Sequence, residues 1–149
     1  MTTSAASLDL DFDINTSFNH QETIQTVIAS MDPDKTAVVN QTNDTWKFRY
    51  GTVEVVVNIT GEEPQDTFTV FASVLTYPIK DELTLLKFLL EKNAAETFEA
   101  RFALQNDQVL VLSSRSVEDL SAAEISRIIT VVAAIADEYD EELQAKFGG

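Results

Sequence analysis

The 149-residue chain has no cysteine, one histidine, one tryptophan, four glycines and three prolines. Without cysteine there is no disulfide framework, no thiolate metal site and no cysteine nucleophile, which fits a reducing compartment. The sole histidine, His20, falls in the first turn of an expected helix and reads as a solvent-exposed helix residue. Acyl transfer by a nucleophile beside an imidazole therefore has little to draw on. The glycines Gly51, Gly61, Gly148 and Gly149 match neither familiar phosphate-cradling pattern. Positive charge is scarce: 10 Lys and Arg face 25 Asp and Glu, for a net charge of −15. Such a field repels phosphate backbones and anionic lipid, so nucleic acid and membrane surfaces are poor partners. The acidity serves solubility, or it draws a basic partner. No stretch approaches 18 uninterrupted apolar residues, and the first residues lack a basic region followed by an apolar run, so a cytoplasmic protein is expected.

What is present, 44% hydrophobic and 23% charged residues, suits a single globular domain with one core over residues 17–149. Residues 1–16 read as a flexible acidic tail. Within it Leu8, Leu10, Phe12 and Ile14 alternate with Asp9, Asp11 and Asp13, so the segment is either a mobile tail or an added edge strand. The D-x-D-x-D spacing does not make a calcium loop: the sixth position is Ile14 where the sharp turn needs Gly, and the twelfth is His20 where a bidentate Glu belongs.

Asn19 and Glu22 have the spacing of a capping box, and Ile24, Val27, Ile28 and Met31 share a helix face that Asp32-Pro33 ends. A polar loop is expected next. Trp46, Phe48 and Tyr50 alternate with Lys47 and Arg49, Gly51-Thr52 can turn the chain, and Val53 to Ile59 alternates again, which is a hairpin. A third strand runs through Phe68, Val70, Ala72 and Val74. Between Asp81 and Asn93, the side chains Leu83, Leu85, Leu86, Phe88, Leu89 and Leu90 spread over roughly 220° of a helix, against about 100° for an ordinary surface helix. One sheet cannot cover that arc, so these six are the candidates for a homodimer interface. A second hairpin follows, with a strand expected from Phe98 through Leu104, a turn at Asn106-Asp107, and Leu104 facing Val109 and Phe102 facing Val111. Its other face carries Ala103, Leu110 and Leu112 beside Arg101, an apolar strip that a client, the dimer mate or the tail could cover. Ser121 and Glu124 form a capping box, and Leu120 and Ile125 a hydrophobic staple, at the start of a long last helix.

That helix ends in Asp137, Glu138, Asp140, Glu141 and Glu142. A helix cannot wrap a cation with six to eight oxygens, so no specific divalent metal site is expected. The repulsion is either tolerated on a packed helix or relieved by a basic segment docking there. Glu62 and Glu63 lie in a turn, where solvation is the default.

The order helix, three strands, helix, two strands, helix resembles the type III secretion chaperone-like fold and, within it, the bacterial YbjN-domain family. The resemblance is carried by Trp46-Lys-Phe-Arg-Tyr-Gly-Thr-Val-Glu-Val-Val-Val57, by Leu86-Lys-Phe-Leu-Leu-Glu-Lys-Asn93 with Phe98-Glu-Ala-Arg-Phe102, and by Ala136-Asp-Glu-Tyr-Asp-Glu-Glu-Leu143. It implies a small, acidic, dimeric, non-enzymatic α+β protein; the residues themselves read as an antiparallel sheet packed by helices, and no cofactor is expected. The expected function is protein binding, as a chaperone-like or adaptor homodimer. The alternatives are an enzyme whose acid and base are carboxylates, and a purely structural dimer.

Overall fold

The computed structural model describes residues 19–149. The Asp9, Asp11, Asp13 spacing and the strand expected over Leu8 to Ile14 lie outside the described residues. The elements in chain order are α1 (His20–Met31), β1 (Val38–Val39), β2 (Thr45–Tyr50), β3 (Val53–Ile59), β4 (Thr67–Thr76), α2 (Glu82–Ala95), β5 (Arg101–Gln105), β6 (Gln108–Ser116) and α3 (Ala122–Phe147). The six strands form one antiparallel sheet in the order β1-β2-β3-β4-β6-β5.

Alternation decides which face is covered. Trp46 and Phe48, then Val53, Val55, Val57 and Ile59, then Phe68, Val70 and Ala72, point to one side and are buried. Against that side α3 lays Ile125, Ile129, Val132, Ala136 and Leu143, all buried, and α1 adds Ile24 and Ile28 beside it. Each such side chain contributes about 1.5 to 3 kcal/mol by leaving water. Strand β4 departs from strict parity: its register against β6 shifts between Ser73 and Leu75, so Val74 and Leu75 are both buried.

Both hairpins have the expected registers. Tyr50 pairs with Val53 across Gly51-Thr52, and Leu104 pairs with Val109 and Phe102 with Val111 across Asn106-Asp107. Ser121 caps α3 with the full capping box. At α1 half of the box forms, the Asn19 side chain accepting from the Glu22 N–H.

Three expectations are corrected. The loop after α1 contains β1, which pairs Val38 with Lys47 and Val39 with Trp46. Phe98 lies in a turn at φ 54 and is 77% exposed, so strand β5 starts at Arg101. His20 is not a solvent-exposed helix residue: its ring bridges a Glu62 carboxylate oxygen and the Leu120 carbonyl, with only 12% of its side chain exposed.

Candidate protein-interaction surfaces

Among the described residues the exposed large apolar side chains are Val38, Val39, Leu83, Leu90, Phe98 and Leu104. They gather at the two edges of the sheet, the first two on β1 and the other four on α2, β5 and the loop between them.

At the β5 edge, α2 buries Leu85 and Leu89 in the chain's own core and leaves Leu83 and Leu90 outside, 82% and 69% exposed, with Leu86 half-buried. Phe88 meets the Tyr139 ring edge-on at 6.2 Å, and Phe102 meets it at 5.5 Å. The Tyr139 hydroxyl donates to Glu96, and Lys92 sits 5.3 Å from the Phe88 ring centre while pairing with Glu96. Burial, with Glu96 beside it, raises the Tyr139 phenol above its ordinary value. Asn93 occupies the outward peptide groups of Phe102 at the strand edge: its amide donates to the Phe102 carbonyl at 3.1 Å and its side-chain oxygen accepts from the Phe102 N–H at 2.7 Å. Of the five leucines and one phenylalanine that are candidates for an interface, Leu83 and Leu90 are exposed and Leu86 is half-buried without a ring partner among the described residues.

The strip expected on the open face of the late hairpin is brought together as a shallow groove of about 460 Å³ that includes Arg101, Ala103, Leu110 and Leu112 with Phe71. Leu110 is only 4% exposed there. Arg101 and Leu112 are cross-strand partners, as are Ala103 and Leu110.

The β1 edge was not foreseen. A groove of about 460 Å³ runs between α1 and β1, lined by Gln25, Ile28, Ala29, Asp32, Val38, Val39 and Trp46 among others. Asn40 donates back to Thr45, so strand alternation turns the peptide groups of Val39 away from β2 and leaves that edge open. Trp46 is 2% exposed and its Nε1 has no hydrogen-bond partner among the described residues. A buried donor without an acceptor costs about 1 to 3 kcal/mol. The base of the groove is fixed by Asp32, which accepts from the Thr36 N–H and hydroxyl and from the Ala37 N–H at 2.8–2.9 Å. The Thr36 amide first, and the other two donors with it, hold the Asp32 carboxyl below its ordinary value.

The acidic end of α3 is partly absorbed by the fold. Asp137 accepts from the Thr52 N–H at 3.0 Å, and the Thr52 hydroxyl lies 2.8 Å from both oxygens of Asp140, which is buried. Gly51 makes room for this clasp: at φ +59, an added Cβ would sit 2.1 Å from an Asp137 oxygen. Glu142 pairs with Lys146. The polar hollow of about 300 Å³ between β6 and α3 holds Arg115 and Arg127, each already engaged by a carboxylate, Glu124 and Glu99. Among the described residues no three His, Cys, Asp or Glu side chains gather as a metal site. No described helix is long and apolar enough to cross a membrane.

The family model YbjN, described as "Putative bacterial sensory transduction regulator", matches residues 20–145. No curated protein matches the chain in sequence. In three dimensions it is similar to a chain of the HopA1–SchA chaperone–effector complex, at 11% identity and TM-score 0.54 over 82% of this chain and 96% of that one. A chain of the complex of the Yersinia pestis type III secretion chaperone SycH with a stable fragment of YscM2 gives 15% identity and TM-score 0.54 over 79% and 97%. A chain of the ExsC–ExsE complex gives 12% identity and TM-score 0.52 over 90% and 96%. All three likenesses are likenesses of fold.

Proposed function

Because the chain belongs to the YbjN family and shares the fold of type III secretion chaperones, we propose that it is a non-enzymatic, chaperone-like protein-binding module, homodimeric and cytoplasmic. The observation that carries this reading is the placement of the exposed apolar side chains at the two sheet edges and nowhere else among the described residues. Apolar patches on a small acidic domain are held exposed at a cost in solubility, and they mark surfaces that something covers. The structure comparisons support a protein as that something, since the similar structures are complexes of a chaperone with a protein partner.

The edges suit different partners. At β5 Asn93 caps the strand edge at Phe102 and α2 presents apolar side chains beside it, so association there goes through Leu83, Leu86 and Leu90 of one copy against those of another. The strip of Ala103, Leu110 and Leu112 beside Arg101 adjoins that edge and is covered by the same pairing. At β1 the strand is open and flanked by an apolar groove, the arrangement that accepts an extended client segment by strand addition. The net charge of −15 steers basic segments toward it.

Two measurements test this. Light scattering should show a dimer for the unmodified chain, and a stable monomer would sink the dimer. Affinity capture from native lysate with mass spectrometry should return a recurrent stoichiometric protein that Val39→Asp loses while dimer and circular dichroism persist. A client lost instead with Leu110→Asp and Leu112→Asp, in a folded dimer, would move the client site to the strip.

A further inference from the structure

Among the described residues, the groove between α1 and β1 holds no acceptor for the Trp46 Nε1 donor and no neighbour for the outward peptide groups of Val39. Residues 8–14 of the same chain, Leu-Asp-Leu-Asp-Phe-Asp-Ile, carry a pattern that supplies both. We propose that this segment docks in the groove as a further strand, parallel to β1, with Leu8, Leu10, Phe12 and Ile14 turned toward α1 and Trp46.

Reach and direction agree. The Gln21 amide donates to the Asn43 carbonyl at 3.4 Å, so α1 begins beside the turn that joins β1 to β2. Residues 15–18 reach about 14 Å at most, enough to bring Ile14 to that turn and no farther along the sheet. Strand β1 runs toward the same turn, so a segment leading into α1 along it is parallel to β1. Parallel neighbours need a connection of a dozen or more residues, usually helical, and residues 15–37 with α1 inside them are such a connection. A seven-residue strand covers about 23 Å and the twelve-residue α1 about 18 Å, so the segment is as long as the groove wall.

Charge fits the same parity. Val39 shares a sheet face with Trp46, and Val38 shares the opposite face with Lys47. A strand that turns its even-numbered apolar residues to the Trp46 side turns Asp9, Asp11 and Asp13 to the side of Lys47 and Arg49. These two cations form no ion pair with a described residue. They stand two residues apart on β2, the same step as the aspartates. A carbonyl of the segment would supply the acceptor that Trp46 lacks. Where the groove is the client site, a consequence that rests on the reading given above, the segment is its resident competitor and a client has to displace it.

Because the chain has no cysteine, paired substitutions report contact without background. Phe12→Cys with Gln25→Cys, on the exposed groove-lining side of α1, should close an intramolecular disulfide several-fold faster than Asp11→Cys with Gln25→Cys, since strand neighbours point to opposite faces. Lys47→Glu with Arg49→Glu should slow the Phe12 pair several-fold. Equal rates for the two pairs would mean tethering alone, and disulfide-linked dimers would seat the segment on a second copy; either overturns the proposal. So would a faster closure between Phe12→Cys and Leu112→Cys, which would place the segment on the open sheet face. No client takes part, so loss of the disulfide and loss of client capture are separate results.

Discussion

Thr52 stands between two carboxylates with one hydroxyl hydrogen, and its backbone N–H serves the second of them, Asp137. Thr52→Val keeps the shape and leaves the buried Asp140 without that donor, so it should cost about 1 to 3 kcal/mol in urea unfolding, whereas Thr52→Ser should cost far less; equal midpoints for the two variants would show that the hydroxyl contributes nothing. The sequence displayed the helical crowding of these acids, but the partner that quiets two of them comes from a turn about 85 residues earlier, which no periodicity reveals. His20 was misread for the same reason, since Glu62 and Leu120 reach it from distant loops. Asp32, Glu96, Glu99 and Glu124 are held below their ordinary values, by the Thr36 amide, Lys92, Arg127 and the Ser121 amide respectively. A carboxyl with a lowered folded-state pKa stabilises the fold above its unfolded value, and that contribution disappears as pH falls through the lowered one. The urea midpoint should therefore hold between about pH 7 and pH 5 and fall below about pH 4. Asp32→Asn should fall less steeply there, and an unchanged acid slope would remove Asp32 from this account.

Helix α2 shows how far a pattern carries. Its 220° arc asks for more than one covering surface, and part of the cover is Tyr139 of the chain's own α3, a residue that no local window connects to Phe88. The structure accordingly separates leucines that the sequence could only pool. Leu83→Glu with Leu90→Glu changes exposed positions, so it should shift stability by less than about 1 kcal/mol while dissociating the proposed dimer; Leu85→Ala, at a fully buried site, should cost about 2 to 5 kcal/mol. Unfolding by the first pair, or an unaffected dimer, would contradict the assignment. Strand β1 escaped notice because two residues are too few to show alternation and lie among polar neighbours. Phe98 was drawn into β5 by an alternation that its positive φ breaks, and the shift near Ser73 puts two consecutive β4 residues inside where parity allows one.

At the scale of the molecule, element order, both hairpin registers and the cap of α3 were legible, because each rests on local chemistry: alternation, two-residue turns and a capping box. The groove was not, since it is formed by elements that meet only after the sheet closes. Its edge has a consequence for how copies of this chain add to one another. A sheet bearing an open edge at one end and an apolar one at the other is the unit of a linear polymer: a contact between unlike edges does not close, and each copy added exposes the next site. In the assembly proposed above, a two-fold contact through α2 would stop growth at one end, and residues 8–14 docked along β1 would stop it at the other. The shared charge of −15 slows the collisions that would start a row, and salt removes that protection, since screening sets in beyond about 10 Å at 0.1 M. Phe12→Asp should therefore grow larger assemblies than the unmodified chain as salt rises, as read by light scattering; identical growth would show that β1 is not the joining end. In those terms the acidic tail and the leucines of α2 would be two chain terminators, one carried in cis and one supplied by symmetry.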